Sequence, residues 1–299
     1  MKNIIVITGG AGFVGSNLIE YFVNKTRFQI VSLDNYSSGT SKNHIKNRRV
    51  KYLKSDTVKI ATVLDKYKSK INAVFHFGEF ARIYQSFLKF NECFQSNSTG
   101  SNAVFRFCLE NKIKLIYSAT SATFGNKGKD KNLSPYAFLK YKNLELLENL
   151  KKWFNFKFEV VYFYNVYGPR QVCKGDMATV VGIFEDYYLR NKKLPVVRPG
   201  TQTRRFTHIS DTIKICFEAW KLNKNRHYSI ASKNSYSIIQ LAKMFKSKLA
   251  YLPKRDGERY ASALNSMNLN NKIHKRFGEI SLKLYVKEFL EKHHFTRKN

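Results

Sequence analysis

Residues 4–15 read IIVITGGAGFVG. Five β-forming residues lead into three glycines at three-residue spacing, and a helical pattern follows, which predicts a strand, a tight turn and a helix. Gly9 allows the turn, Gly12 lets the backbone approach a pyrophosphate, and Gly15 lets the helix pack closely on the sheet. The free N–H groups at the start of that helix attract an anion. The residues of this turn that we expect to contact a dinucleotide are Gly9, Gly12, Phe13, Val14 and Gly15.

Asp34 is the second element of the predicted dinucleotide site. Residues 28–33 (FQIVSL) predict a strand, and Asp34 ends it, about 20 residues after the glycines, where an acid that binds ribose is expected. A carboxylate there accepts hydrogen bonds from the ribose hydroxyls and repels a 2′-phosphate, so the sequence favours NAD over NADP. The alternative is that Asp34 only begins the turn of residues 35–39.

Length and composition predict a folded globule. The 299 residues are enough for one large domain or two unequal ones, and hydrophobic and aromatic contents of 43% and 15% exclude a disordered chain. No apolar stretch is long enough to span a membrane. The four cysteines have neither paired nor metal-binding spacing, so we expect reduced thiols in a cytoplasmic protein and no metal ion.

A net charge of +32 normally indicates a nucleic-acid or anionic-membrane partner. Here the lysines and arginines are scattered from end to end, and Lys, Asn, Ile, Phe and Tyr are all abundant, as an AT-rich coding bias would produce. We therefore expect no nucleic-acid partner, although a basic nucleic-acid binder remains an alternative. The charge can also attract anionic substrates.

Strand and helix patterns alternate through the first half of the chain, which predicts an α/β fold with a doubly wound, Rossmann-type parallel sheet. The predicted strands are 4–8, 28–33, 50–53, 73–77, 114–117 and 159–163, and the predicted helices are 58–67, 97–110 and 135–153. After residue 170 the pattern becomes irregular, which indicates a smaller substrate lobe over the carboxyl ends of the strands. We expect a cofactor domain over residues 1–165, with residues 205–233 packing back on it, and a substrate lobe mainly in residues 166–299.

Tyr136 and Lys140 form a candidate catalytic pair. Ser134 and Pro135 predict the N-cap and first residue of a helix, and spacing of four places both side chains on one helical face. Lowering the pKa of a tyrosine from about 10 to about 7 requires roughly 4 kcal/mol, which an ammonium and a cationic nicotinamide ring can supply. Thr120 adds a hydroxyl at the end of a predicted strand, beside the cofactor.

These motifs, in this order, resemble the extended short-chain dehydrogenase/reductase family, specifically its NAD-dependent nucleotide-sugar epimerases and dehydratases, such as UDP-glucose 4-epimerases. The resemblance covers nearly the whole chain and implies Thr120, Tyr136 and Lys140 as catalytic residues. The cofactor residues that it implies, with the turn above, are Gly9, Gly12, Phe13, Val14, Gly15, Asp34, Asn35, Asp56, Thr57, Phe77, Gly78, Glu79, Asn97, Tyr136 and Lys140.

The second half carries the part of the resemblance that concerns a nucleotide sugar. The resemblance implies that Asn165, in YNVYGPR, and Thr120 face the sugar and diphosphate. It implies that Arg204, in GTQTRRFTHISD, and Arg255, in RDGE, bind the phosphates. Arginine suits this role because its planar fork bonds two phosphate oxygens at once.

Three features depart from the family pattern. Glu79 puts a carboxylate where alanine is usual, and it is either a substrate contact or a partner of Arg82. Arg205 replaces the usual acid after Arg204. The segment 125–134 is short and rich in lysine, without the longer acidic insertion of many relatives.

The resemblance implies transient oxidation of a sugar hydroxyl, and C4 epimerisation of a nucleoside-diphosphate hexose is our leading expectation. Dehydratases need an added acid and base after Thr120, where this chain has Ser121 and Ala122. A 4,6-dehydratase, a reductase or a non-catalytic NAD-binding protein are the alternatives. The family also implies a homodimer, with residues 87–110 and 136–153 as candidate contacts.

Overall fold

A computed structural model gives the architecture and describes residues 2–125, 132–257, 260–261 and 273–293, with the backbone only at 273–277. Its strands are β1 Ile4–Thr8, β2 Gln29–Asp34, β3 Val50–Lys54, β4 Ile71–His76, β5 Lys114–Thr120, β6 Phe158–Phe163, β7 Val166–Tyr167, β8 Leu194–Val197, β9 Thr203–Arg204, β10 Thr207–His208, β11 His227–Ala231, β12 Tyr236–Ser237, β13 Leu249–Leu252 and β14 Ile273–Phe277. Its helices are α1 Phe13–Lys25, α2 Ile60–Leu64, α3 Gln85–Leu88, α4 Phe90–Phe94, α5 Ser101–Glu110, α6 Pro135–Phe154, α7 Val180–Leu189, α8 Ile209–Leu222, α9 Ile238–Met244 and α10 Leu282–His293.

Eight of the described strands form one parallel sheet, in the order β3-β2-β1-β4-β5-β6-β11-β14. The chain moves outward from β1 through β2 to β3, then returns to place β4 on the other side of β1. This reversal opens a crevice at the carboxyl ends of β1 and β4, where doubly wound sheets bind their ligands. The predicted Rossmann-type fold is confirmed.

Both faces of the sheet are covered, as its nearly unbroken apolar strands require. All five residues of β1 are buried, and they alternate between two cores. Ile4 and Val6 pack with side chains of α5 and α6, while Ile5 and Ile7 pack with side chains of α1 and α8. Helix α8 thus covers the same face as α1, and β11 pairs with β6.

A third core is built from α7, α9 and α10, and we call the part of the chain around it the smaller lobe. Phe184, Phe206 and Phe245 are completely buried there, against Leu241 and Leu282. Short two-stranded pairings, β8 with β13 and β9 with β12, frame this lobe. The described residues contain no helix that is long and apolar enough to cross a membrane.

Two predicted helices differ from the observed ones near the crevice. The helix predicted over residues 58–67 is a short α2 between 3₁₀ turns at 57–59 and 65–70. The helix predicted from residue 97 begins with a π-helical turn, Gln95–Gly100, before α5. These irregular turns pack closely against each other at Thr57 and Gly100. A Cβ at Gly100 would lie 2.4 Å from the hydroxyl oxygen of Thr57, so only glycine fits there.

Candidate active site

A cavity of about 630 Å³ lies at the carboxyl ends of the strands, between the sheet and the smaller lobe. It brings together every site residue that the sequence predicted except Asn97: the glycine turn, the acids after β2 and β3, the residues after β4, the catalytic set, and Asn165, Arg204 and Arg255. Residues far apart in the chain therefore share one space, large enough for a ligand that spans both lobes.

The glycine turn has the geometry of a phosphate cradle. Gly9 has a φ of +70°, and a Cβ there would lie 2.9 Å from the backbone of Phe77 and Gly78. At Gly15 a Cβ would lie 2.2 Å from the carbonyl oxygen of Gly9. Gly12 caps α1 without a side chain, so no side-chain oxygen takes up the first N–H groups of the helix. These groups face the cavity and fit the pyrophosphate of a dinucleotide.

Asp34 has the turn role that the sequence offered as an alternative, and its position leaves the ribose-binding role open. Its buried carboxylate accepts hydrogen bonds from the backbone N–H of Ala11, at 2.9 Å, and of Tyr36, at 2.7 Å. It therefore begins the following turn and also ties that turn to the glycine cradle. Each carboxylate oxygen keeps a further acceptor site, which a ribose hydroxyl can use. Nearby, Asn35 donates to Asp56, which caps the 3₁₀ turn through the N–H of Val58.

Thr8 and His76 support the cofactor side from behind. The Thr8 hydroxyl oxygen accepts from the N–H groups of Phe77, at 3.1 Å, and Gly78, at 3.0 Å, and lies 2.8 Å from His76 Nδ1. Burial lowers the pKa of His76 to about 4, so its ring is neutral at neutral pH. The hydrogen bonds join the ends of β1 and β4 and give His76 a structural role.

Asn97 lies behind the cavity wall rather than in it. Its fully buried amide accepts from the N–H of Phe80, at 2.7 Å, and donates to the carbonyl of Phe80, at 2.8 Å. Both functions of the side chain are thus used by the segment that follows β4. The Asn97 side chain therefore fixes the backbone at Phe80, directly after the lining residues Phe77–Glu79.

The candidate catalytic pair, Tyr136 and Lys140, lies in the first two turns of α6. Ser134 caps the helix through the N–H of Ala137, at 3.1 Å, and Pro135 follows it. Tyr136 is buried, and its phenol is hydrogen-bonded to the hydroxyl of Thr120 at the end of β5. The three predicted catalytic residues therefore meet at one wall of the cavity.

The surroundings of Tyr136 oppose its ionisation in the free protein. Burial and the nearby Glu79 raise the pKa of Tyr136 to about 12, while the hydrogen bond from Thr120 and the charge of Arg82 lower it. Reaching a pKa of about 7 from there requires roughly 7 kcal/mol of additional phenolate stabilisation. A positive charge placed next to the phenol lowers its pKa and so contributes to this stabilisation.

Lys140 is held by a carboxylate that the sequence did not assign to it. Its ammonium donates to Glu79 Oε2 and to the carbonyl of Ser118, and lies 4.4 Å from the centre of the Tyr117 ring. Burial lowers the pKa of Lys140, and Glu79 opposes that shift. The suggested pairing of Glu79 with Arg82 is wrong, because Arg82 donates to the carbonyls of Ala81 and Met177.

The cavity lining also contains the candidate phosphate-binding arginines. Arg204 is buried and donates to the carbonyl of Thr203 at 2.9 Å, and the Arg255 guanidinium lies 5.0 Å from the centre of the Tyr84 ring. Asn165 donates to the carbonyl of Arg205 at 3.1 Å. The Arg205 guanidinium itself turns to the carbonyls of residues 232 and 233, outside the lining, so it does not reverse the charge of the cavity.

The sequence did not predict several parts of the lining, among them Arg82 and the segment 175–181. Arg82 follows the carboxyl end of β4 by six residues, and a cation so close to a cofactor motif was a usable signal. The segment 175–181, which reaches Arg82 through Met177, matched no motif. The departure in segment 125–134 concerns residues 126–131, which lie outside the described residues.

Comparison with known proteins gives consistent matches over this fold. A model of the NAD dependent epimerase/dehydratase family matches residues 5–231. The ADP-L-glycero-D-manno-heptose-6-epimerase of Brachyspira hyodysenteriae is 26% identical over 258 residues, which cover 81% of this chain and 80% of that protein.

Solved structures with this fold include enzymes of two reaction types. The UDP-glucose 4-epimerase of Thermotoga maritima, solved with UDP-glucose, has a TM-score of 0.85 at 24% identity. The match covers 98% of this chain and 99% of the epimerase chain. The dTDP-glucose 4,6-dehydratase of Streptomyces venezuelae, with NAD, has a TM-score of 0.84 at 17% identity and covers 98% of both chains. The fold alone does not select between the reactions.

Proposed function

Because this chain belongs to the NAD-dependent epimerase/dehydratase family, we propose that it is a nucleotide-sugar epimerase that inverts C4 of a nucleoside-diphosphate hexose. Its cofactor is NAD. The observation that carries the proposal is the meeting of Thr120, Tyr136 and Lys140 in the cavity that the glycine cradle opens into. The same cavity is also lined by Arg204 and Arg255.

The proposed reaction needs a base at the sugar hydroxyl. NAD, when bound, supplies a hydride acceptor that also returns the hydride. Tyr136 takes the proton of the 4-hydroxyl as C4 loses its hydrogen, and Thr120 hydrogen-bonds the same oxygen. After the 4-keto sugar turns over, its other face receives the hydride, and Tyr136 returns the proton to the new hydroxyl. The cycle is redox-neutral and leaves one product, the C4 epimer.

The two arginines support a nucleoside diphosphate as the constant part of the substrate. Arg204 and Arg255 line the same cavity as the glycine cradle, and a guanidinium group binds two phosphate oxygens at once. Asn165 lines this cavity as well. The relatives named above act on or bind ADP, UDP and dTDP sugars, which supports the same substrate class here.

The carboxylates of the cavity favour epimerisation over 4,6-dehydration. Elimination of water needs a further acid and base beside the sugar, and residues 121 and 122 are serine and alanine. In the described lining the carboxylates are Asp34, Asp56, Glu79 and Asp176. The first two are bonded to the backbone of the cofactor side, Glu79 is bonded to Lys140, and Asp176 forms an ion pair with Lys89 at 2.9 Å.

Product analysis tests the proposal. Purified protein is incubated with UDP-, ADP- and dTDP-hexoses, and the products are identified by NMR. We expect the C4 epimer of at least one substrate, at equilibrium with it. A 4-keto-6-deoxy sugar would establish a dehydratase, and bound NAD without any turnover would establish a non-catalytic member of the family.

We also propose a homodimer that forms through α3, α4 and α6. Large apolar side chains are exposed on these helices, and α4 packs beside α6. The exposed side chains are Phe87, Leu88, Phe90, Phe94, Phe138, Trp153 and Phe154. A second copy of the chain that covers these side chains would remove a large apolar surface from contact with water. Light scattering of the purified protein should give twice the 34.9 kDa chain mass, and a monomer at micromolar concentration would refute the pairing.

The four free cysteines support a reducing compartment, and we place the protein in the cytoplasm.

A further inference from the structure

Glu79 is the most completely bonded carboxylate of the cavity. Its side chain is 2% exposed and that of Lys140 is 4% exposed, so the ion pair between them is removed from solvent. Glu79 Oε1 accepts from Ser101 Oγ at 2.7 Å, from the Tyr117 hydroxyl at 3.1 Å and from Asn143 Nδ2 at 3.3 Å. A buried ion pair persists when further hydrogen bonds satisfy its charges, as they do here.

The bonds of Glu79 continue to the glycine cradle. Since the Ser101 hydroxyl donates to Glu79, its oxygen accepts from His76 Nε2, at 3.1 Å, and His76 Nδ1 then accepts from the hydroxyl of Thr8, at 2.8 Å. The neutral His76 ring has one proton, which this assignment puts on Nε2. A chain of hydrogen bonds thus joins Thr8, next to the cradle, to the catalytic lysine.

We propose that Glu79 is a positioning residue of the epimerase reaction, which fixes the Lys140 ammonium beside Tyr136 and offsets its positive charge. The inference rests on the proposed function, because that function makes Tyr136 the base. Lys140 has two acceptors, Glu79 Oε2 and the carbonyl of Ser118, which belong to the same cavity wall. These two bonds hold its ammonium against that wall.

Two cations, Lys140 and Arg82, lie near Tyr136, and their charges act on different groups. Glu79 and Arg82, in the segment after β4, lie near the phenol of Tyr136, as do Cys93 of α4 and Thr120 of β5. Lys140 lies one turn further along α6. Around Glu79 itself are Lys140, His76, Tyr117 and Cys93. Because Lys140 is offset by Glu79, Arg82 is the cation whose charge acts on the phenol. The negative charge of Glu79 makes the phenol a weaker acid.

The variant Glu79→Gln tests this assignment, because it keeps the shape and removes the charge. Glu159→Gln is the matched control: Glu159 is also completely buried, lies 3.4 Å from Lys114, and accepts from the N–H groups of Asn225 and Arg226, but it is outside the cavity. Because the charge of Glu79 raises the pKa of Tyr136, its removal should lower that pKa. In the pH profile of kcat/KM, the acidic limb should therefore move to lower pH by about one unit in Glu79→Gln and stay in place in the control. Glu79→Asp, which keeps the charge but shortens the side chain, should keep the wild-type limb and lower kcat.

A second readout does not depend on turnover. The near-ultraviolet phenolate absorbance of each protein, minus that of the same protein with Tyr136→Phe, reports the ionisation of Tyr136 directly. Its midpoint should fall in Glu79→Gln and not in Glu159→Gln. An unchanged midpoint in Glu79→Gln, or an equal shift in the control, would overturn the inference. Failure of the proposed function, seen as no turnover by the wild type, leaves this spectroscopic test intact.

Discussion

Replacing Arg82 with methionine removes one positive charge from the surroundings of the Tyr136 phenol while keeping a side chain of similar length. The Arg82 charge lowers the pKa of Tyr136, so its loss must raise that pKa. A single neighbouring charge shifts a pKa by about one unit or more, and each unit corresponds to about 1.4 kcal/mol. Below the acidic limb, kcat/KM should therefore fall about tenfold, and the limb should move up by about one pH unit.

The assay is the pH dependence of kcat/KM with the accepted nucleotide sugar. Arg205→Met is the matched control, because Arg205 also bonds backbone carbonyls and also has a buried Nε without a hydrogen-bond partner in the described structure, yet it lies outside the cavity. Both substitutions should lower the melting temperature, but only Arg82→Met should move the limb. Superimposable profiles for Arg82→Met and the wild type would refute the electrostatic role.

Three further predictions follow from the described contacts. Tyr136→Phe should lower kcat by at least about 100-fold, since it removes the proton acceptor, while NAD measured in the purified protein stays at the wild-type level; full activity would exclude Tyr136 as the base. Gly15→Ala should lose bound NAD, because its Cβ would lie 2.2 Å from the carbonyl oxygen of Gly9. In Gly175→Ala the φ of +77° strains the backbone, but no atom lies within 4 Å of the new Cβ, so this variant should lose some stability and keep NAD. Retention of NAD in Gly15→Ala would argue against the cradle. His76 has a pKa of about 4 in the folded protein, against an ordinary value of 6.5, so the unfolded chain takes up the proton at a higher pH than the folded protein does. The contribution of His76 to the free energy of unfolding is therefore complete above pH 6.5. It decreases by about 3 kcal/mol as the pH falls toward 4. Urea unfolding at several pH values should show this fall in the wild type and a smaller one in His76→Gln, and equal falls would contradict it.

The parts of this fold that follow local rules could be predicted from the sequence. The spacing of Gly9, Gly12 and Gly15 specifies a turn that only a few neighbouring residues build, and alternating apolar runs specify buried parallel strands. Ser134 and Pro135 likewise place the start of α6. The sheet, the cradle and the catalytic helix follow from such short-range patterns.

The charges of the candidate site could not be predicted in the same way. The pairing of Glu79 with Lys140 joins residues 61 positions apart and depends on how α6 packs against β5, the neighbour of β4 in the sheet. Arg82 was the nearer cation in sequence, but its guanidinium turns to a carbonyl of the smaller lobe. Asn97 matched a cofactor motif, yet its amide is used by the backbone of Phe80. Side-chain direction and competition between partners decide such contacts, and neither can be read from spacing.

The most direct test of the central claim follows a hydrogen isotope. The accepted nucleoside-diphosphate hexose is prepared with deuterium at C4 and converted in ordinary water, and the epimer is analysed by NMR and mass spectrometry. Transient oxidation at C4, with the same hydride returned within the site, predicts that deuterium stays at C4 of the product. Loss of the label to solvent, or its appearance at another carbon, would contradict C4 epimerisation by this site.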